Sequence, residues 1–175
     1  MSLKHQGRGD TIDAEPPLVT AHAAFGYLAV WGAFSLAAAS LQLWLERQGA
    51  VSTMTMGVAG RWPAACVLIA AGLYQLTPLK RACLAECRSP AQFLSRHFRP
   101  GASGAFRLGL RHGAYCLGCC WLLMALLFVG GVMNLVWIAL IAILVGIEKL
   151  SRPGRAVGIG AGLMLVAWGI ATAFA

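Results

Sequence analysis

Five long apolar stretches dominate the chain and limit what it can fold into. They run over about 22–45, 58–76, 107–129, 132–149 and 156–173. Crossing the hydrocarbon core of a bilayer takes roughly 20 apolar residues in a helix, because about 30 Å must be covered at about 1.5 Å per residue. Each stretch is close to that length. The sequence therefore predicts an all-α, polytopic transmembrane bundle of about five membrane helices, with a four-helix arrangement as the second choice.

The composition points to the same class of protein. Hydrophobic residues make up 59% of the chain and charged residues 11%, whereas a soluble domain carries about a quarter charged residues. The first twenty residues mix charges with prolines and lack the apolar core of a signal peptide. We expect residues 1–20 to form a polar tail and residues 21–175 a single integral membrane domain.

The run from Ala114 to Leu150 needs a break. As one helix its 37 residues would be about 55 Å long, which exceeds one ordinary span. The stretch "GGVMN" at Gly130 to Asn134 supplies glycines and a polar residue inside this run. The sequence therefore predicts two helices that meet at a tight turn there.

The basic residues predict the orientation of the chain. Ten of the 14 Lys and Arg residues lie in two loops: Lys80, Arg81, Arg88, Arg96, Arg99, Arg107 and Arg111, and then Lys149, Arg152 and Arg155. Because short cytoplasmic loops concentrate Lys and Arg, we expect a multi-pass membrane protein with a cytoplasmic N-terminus. The net charge of +8 is then explained by basic loops that lie at the membrane surface. No nucleic-acid partner is expected.

Two short helices are predicted in the first basic loop. In "TPLKRACLAECRSP", Thr77 can cap a helix that begins at Pro78, and Ser89 with Pro90 repeats this start signal. On the first of these amphipathic helices, Cys83 and Cys87 are four residues apart and share a face.

A second cysteine stripe lies at the head of the third apolar helix, in "AYCLGCCW". His112, Cys116, Cys119 and Cys120 stand at i, i+4, i+7 and i+8, and Met124 continues the stripe one turn deeper. Both stripes are predicted on the cytoplasmic side, where thiols stay reduced, so a disulfide framework is not expected. The alternative to a site is that these cysteines only fill the core.

Soft thiolate and thioether ligands select Cu(I), Zn(II) or similar ions. If the loop helix folds back against the third apolar helix, the two stripes converge. The sequence then predicts a soft-metal site, with Cu(I) favoured and Zn(II) as the alternative, at Cys83, Cys87, Cys116, Cys119, Cys120, His112 and Met124. Nearby cations such as Lys80, Arg81 and Arg88 are expected to lower the thiol pKa values.

Three further residue groups carry expectations of their own. Cys66 is expected to be a buried packing residue. Glu148 is expected to pair with Lys149 or a loop arginine, with an ion or proton relay as the alternative. Met54 and Met56 have the spacing of a thioether site, although interfacial burial is favoured.

Glycine spacings predict close helix contacts. Gly109 with Gly113 and Gly158 with Gly162 are four residues apart, which lets membrane helices approach closely. They favour a compact bundle or a dimer.

Three stretches resemble a known bacterial family. They are "AGLYQLTPLKRACLAECRSP", "GAYCLGCCWLLMALLFVGGVMNLVWIALIAILVGIEKL" and "GYLAVWGAFSLAAASLQ". They are similar to the predicted metal-binding integral membrane proteins, a family with a domain of unknown function and the C-L-G-C-C-W motif, over roughly residues 22 to 173. The resemblance implies a multi-pass protein of the bacterial inner membrane that binds metal through its cysteines. Family members usually carry a further N-terminal part, so we expect either a short version of that architecture or a chain with a late start.

Three functions compete at this point. The first is soft-metal handling or delivery, with the lipid bilayer, a metallochaperone or a second copy of the chain as partners. The second is a membrane thiol-disulfide oxidoreductase that uses Cys116 and Cys119. A dithiol with that role would be expected nearer the outer face, whereas the basic loops predict a cytoplasmic position for these two cysteines. The third is a structural membrane subunit. Because no nucleophile and base pair, phosphate loop or nucleotide fingerprint is present, the chain is not expected to be an enzyme.

Overall fold

Helices make up nearly all of the structure, which is a computed structural model that describes residues 16–51, 57–97, 99–151 and 153–175. In chain order they are α1 (Pro16–Arg47), α2 (Arg61–Leu76), α3 (Pro78–Arg88), α4 (Pro90–His97), α5 (Ala102–Ala125), α6 (Leu127–Gly130), α7 (Leu135–Leu150) and α8 (Gly154–Phe174). One antiparallel bridge joins Val51 to Val58 between α1 and α2. The predicted all-α class is confirmed.

Glycines bring α1 and α5 into backbone contact. A Cβ atom on Gly109 would overlap the carbonyl of Ala23, and one on Gly26 would overlap the carbonyl of Phe106. A Cβ on Gly113 would lie 3.1 Å from the Cβ of Val30. The close approach predicted from the spacing of Gly109 and Gly113 is confirmed.

The second close pair is α2 with α8. A Cβ on Gly72 would lie 2.6 Å from the carbonyl oxygen of Gly162, and one on Gly162 would lie 2.9 Å from that of Gly72. The apolar core beside this contact joins α2, α5, α7 and α8 with Leu126 between α5 and α6; it consists of Leu68, Ala71, Leu123, Leu126, Ile141 and Leu165. Gly162 therefore has the packing role that the spacing predicts, whereas a Cβ on Gly158 would lie 3.2 Å from Oε1 of Glu148 on α7.

The predicted break in the long apolar run is confirmed. The helical chain ends at Gly130, and Gly131 has φ of 83°, a left-handed conformation that glycine adopts without steric cost. Asn134 then caps α7, because its side chain accepts a hydrogen bond of 3.2 Å from the backbone N–H of Trp137. The two apolar helices are thus separate elements.

The number of membrane spans differs from the expected five. Three helices in the described ranges are long and apolar enough to cross a membrane: Leu18–Arg47, Ala102–Gly130 and Gly154–Phe174. A fourth candidate is α2 together with α3, which are bent by 66°. With 16 residues each, α2 and α7 are only about 24 Å long, so the count of five spans is not confirmed.

The position of Cys66 corrects an expectation. Its side chain is exposed rather than packed in the interior, because α2 buries the face formed by Ala65, Leu68, Ala71, Gly72 and Gln75. Cys66 points away from that face. Met54 and Met56 lie outside the described residues.

Candidate metal site

The helix that carries the first cysteine pair begins as predicted. Pro78 is the first residue of α3, and the Thr77 side chain accepts a hydrogen bond of 3.2 Å from the backbone N–H of Lys80. The Thr77 hydroxyl also donates to the carbonyl of Tyr74 at 2.7 Å. These bonds end α2 and start α3 at one residue. The second predicted loop helix is also confirmed, as α4.

A buried ion pair fixes α3 against the end of α7. The ammonium of Lys80 lies 2.6 Å from Oε2 of Glu148, and their side chains are only 3% and 2% exposed. The amide of Gln75 donates to the other carboxylate oxygen at 2.7 Å. The expectation that Glu148 pairs with Lys149 or an arginine is therefore wrong. Lys80 is the partner because the start of α3 lies directly over the end of α7.

The fold brings the two cysteine stripes together. The sulfur of Cys87 on α3 lies 3.9 Å from that of Cys119 on α5. Side-chain interactions also link Cys116 to Cys87 and Cys120. The thiols of Cys119 and Cys120 donate to the backbone carbonyl of Cys116 at 3.1 and 3.0 Å. Four sulfurs from two helices therefore lie next to one another.

The fifth cysteine and the methionine lie at the edge of this group. Cys83 and Met124 pack against the buried core of Leu84, Cys119 and Cys120. A Cβ on Gly118 would lie only 3.0 Å from the sulfur of Cys83. Glycine at position 118 therefore leaves the room that the Cys83 side chain needs.

Two residues that the sequence reasoning missed contact Cys116. The ammonium of Lys149 donates to its sulfur at 3.1 Å, and the hydroxyl of Tyr27 on α1 lies 3.6 Å from the same sulfur. An ammonium stabilises the thiolate form of a cysteine. Lys149 follows Glu148 directly in α7. These two neighbours contact both helices that carry the cysteines: Glu148 pairs with Lys80 on α3, and Lys149 donates to Cys116 on α5.

The cations of the first basic loop do not lower the pKa values of the two thiols on α3 as expected. Burial raises the pKa of Cys83, and the neighbouring Cys119 adds to the rise. The pKa of Cys87 is also raised, by its contacts with the sulfurs of Cys116 and Cys119 and by burial. Arg88 is directed elsewhere, because it donates to the carbonyl of Ser151 at 2.6 Å. The expected lowering by loop cations is therefore wrong for these two thiols.

His112 lies in an aromatic cluster one turn from Cys116. Its ring centroid is 6.0 Å from that of Tyr27 and 5.3 Å from that of Phe93. Phe93 is on α4 and is buried, so this cluster ties the second loop helix to α5. His112 thus adjoins Tyr27, which in turn contacts Cys116.

Comparison with known families now identifies the kind of protein. Residues 4–172 match the sequence model of the PpoB2 family, which is described as a copper chaperone. The chain belongs to this copper chaperone family. Comparison with curated proteins and with solved structures gave no match. Membership connects the chain with copper handling. The sequence resemblance had indicated metal binding in general, and the family match narrows this to copper.

The sulfur cluster of this copper chaperone family member suits a soft ion as cargo. Metal–sulfur bonds of about 2.3 Å place two sulfurs on one ion roughly 3.8–4.0 Å apart at tetrahedral or trigonal angles. The 3.9 Å between Cys87 and Cys119 fits that spacing. In the described part of the chain no three His, Cys, Asp or Glu side chains are already arranged as a metal-binding set.

Proposed function

We propose that the chain is a membrane-embedded copper chaperone that binds Cu(I) between α3 and α5 and delivers it to a partner protein. The observation that carries the proposal is the 3.9 Å distance between the sulfurs of Cys87 and Cys119, with Cys116 and Cys120 adjacent. Soft thiolates favour Cu(I) over Mg(II) and Ca(II), which prefer oxygen ligands. Family membership supports copper as the cargo.

The charge balance supports a monovalent ion. Two thiolates and one Cu(I) carry a net charge of −1, and the ammonium of Lys149, 3.1 Å from the Cys116 sulfur, neutralises it. A buried charge without a partner is strongly unfavourable. Lys149 therefore stabilises the loaded site without occupying a coordination position.

Ligands on two helices suit delivery. Cu(I) passes from one protein to another by thiolate exchange, in which each new copper–sulfur bond replaces an old one and no electron is transferred. Cys83 and Cys87, on the loop helix α3, are half-buried. The three cysteines on α5 are buried: Cys116, Cys119 and Cys120. We infer that the α3 thiols accept or release the ion and that the α5 thiols retain it. No reaction other than ligand exchange is proposed.

The surface supports a location in the membrane. Large apolar side chains are exposed along the long helices, among them Phe25, Leu36, Leu140, Leu163 and Trp168. A contiguous apolar exterior marks a lipid or protein interaction surface. We place the chain in the bacterial inner membrane as a multi-pass protein, with its N-terminus and the cysteine site on the cytoplasmic side, as the basic loops indicate.

Competition for Cu(I) tests the proposal. Purified full-length protein in reducing buffer is titrated against a colorimetric Cu(I) chelator, and Cys87→Ser/Cys119→Ser is compared with Cys66→Ser. Cys66 is an exposed thiol on α2 and serves as the matched control. We expect one Cu(I) per chain in the wild type and in the control, and an affinity at least 100-fold lower in the double variant. Equal affinity in all three proteins would contradict the proposal.

A further inference from the structure

A basic cavity lies beside the copper site and has no role in the mechanism proposed above. It encloses about 490 Å³ between α3 and the start of α8, and its charged lining residues are Arg81, Arg88 and Arg155. Arg81 and Arg155 are exposed at its rim, while Arg88 is half-buried and donates to the carbonyl of Ser151. The cavity wall between the arginines is apolar, with Leu84 and Ala85.

A second, smaller cavity continues the first one inward. It measures about 140 Å³ and shares Arg81, Leu84 and Arg155 with the outer cavity. Its floor carries the ion pair of Lys80 with Glu148. The described lining of the two cavities contains four cationic side chains and one carboxylate, that of Glu148. Lys80 already pairs with this carboxylate. The described lining therefore has an excess of positive charge suited to an anion.

The first turn of α8 adds to this preference. Gly154 and Arg155, the first residues of this 21-residue helix, line the inner cavity. The N–H groups at a helix start point outward and carry partial positive charge, which favours a phosphate group. Arginine adds forked donors that match phosphate oxygens.

The inner cavity also holds an acceptor without a donor. Gln75 is 4% exposed, and its carbonyl oxygen Oε1 makes no hydrogen bond within the described residues. Its amide nitrogen is held by Glu148, so the side chain is fixed while it lines the inner cavity. A buried acceptor without a donor is energetically unfavourable. A ligand that reaches it must therefore carry a hydroxyl or another donor as well as its negative charge.

We propose that these two cavities bind a phosphate ester that carries a free hydroxyl group, with the phosphate between Arg81, Arg88 and Arg155 and the hydroxyl on Gln75. Two sources have this chemistry: a phosphoglycerol lipid headgroup and a soluble polyol phosphate. The lipid is favoured because Ile159, at the inner cavity, and Leu163, one turn further along α8, are 40% and 58% exposed. They offer an apolar track for an acyl chain. Basic pockets beside membrane helices bind anionic headgroups in this manner.

The test uses the full-length chain without copper, in an uncharged detergent, so that its result is independent of the copper site. Binding is measured for phosphatidylglycerol and phosphatidylcholine in mixed micelles, and for glycerol 3-phosphate in solution. The variant Arg81→Gln/Arg155→Gln removes two charges at the cavity. The control Arg47→Gln/Arg61→Gln removes two charges at the end of α1 and the start of α2.

Each arginine near an anionic headgroup contributes about fivefold in affinity, so we expect the cavity variant to bind phosphatidylglycerol about 25-fold more weakly than the control does. Binding of phosphatidylglycerol alone identifies the lipid as the source, and binding of glycerol 3-phosphate with the same arginine dependence identifies the soluble ester. Equal losses in both double variants would overturn the proposal. If the cavity variant does not fold, wild-type protein decides: equal binding of phosphatidylglycerol and phosphatidylcholine, without binding of glycerol 3-phosphate, overturns it.

Discussion

Lys80 and Glu148 form a buried ion pair, 2.6 Å from Nζ to Oε2, that joins the helix of Cys83 and Cys87 to the end of α7. Removing one partner leaves the other charge buried and unpaired, whereas removing both leaves none. Glu148→Gln should therefore lower the free energy of unfolding by about 3–5 kcal/mol.

The control for this prediction is Lys80→Met/Glu148→Leu, which replaces both charges with apolar groups of similar size. Denaturant or thermal unfolding, followed by tryptophan fluorescence, should place this double variant much closer to the wild type than Glu148→Gln. A double variant as unstable as the single one would show that the destabilisation does not come from an unpaired charge.

The contact of Lys149 with the Cys116 sulfur, at 3.1 Å, predicts a specific effect on copper binding. Lys149→Met removes a hydrogen bond from a charged donor, worth about 1.5–3 kcal/mol, so the Cu(I) affinity should fall roughly 10- to 150-fold. Lys149→Arg keeps the charge and should retain most of the affinity. The chelator competition described above measures both, and equal loss in the two variants would rule out charge as the cause.

The glycine contact between α2 and α8 predicts opposite effects at two nearby positions of one helix. A Cβ on Gly162 meets the Gly72 carbonyl oxygen at 2.9 Å and the Gln75 Cβ at 2.8 Å, whereas one on Gly160 meets nothing within 4 Å. Gly162→Ala should lower the free energy of unfolding by about 1–3 kcal/mol because the helices must separate. Gly160→Ala should be neutral or stabilising by up to about 1 kcal/mol, because alanine favours the helix. Unfolding curves of the two variants decide, and similar destabilisation in both would contradict this packing.

The cap of α3 predicts a smaller effect with a clear rescue. Thr77→Ala removes the side-chain acceptor for the N–H of Lys80 and should cost about 1 kcal/mol of stability. Thr77→Ser keeps the oxygen and should restore most of it. Amide hydrogen exchange in α3 is the measurement: exchange should be faster in Thr77→Ala than in Thr77→Ser. Identical exchange rates in the two variants would show that the Thr77 side chain does not stabilise the start of α3.

Local signals made several elements predictable from the sequence. The starts of α3 and α4 were predictable from Thr77 with Pro78 and from Ser89 with Pro90. Capping and proline preferences depend on only a few neighbouring residues. The turn at Gly131 and the close contacts of Gly109 and Gly162 follow in the same way from glycine's missing side chain. The convergence of the two cysteine stripes needed one assumption, that the loop helix folds back onto α5.

Other parts of the site depend on which helices become neighbours, and the sequence does not encode this locally. Tyr27 reaches Cys116 only because α1 packs on α5, and Lys80 reaches Glu148 only because α3 crosses the end of α7. The exposed position of Cys66 was unpredictable for a different reason. Because apolar residues from Pro63 to Leu73 surround most of α2, its pattern does not reveal which face is buried.

The most direct test of the copper proposal is X-ray absorption spectroscopy of the Cu(I)-loaded protein. In the wild type and in Cys66→Ser, we predict a copper ion bound by sulfur ligands only. In Cys87→Ser/Cys119→Ser, the number of sulfur neighbours should fall and stoichiometric copper should be lost. Copper bound by nitrogen or oxygen in the wild type, or an unchanged sulfur shell in the double variant, would contradict a site between α3 and α5.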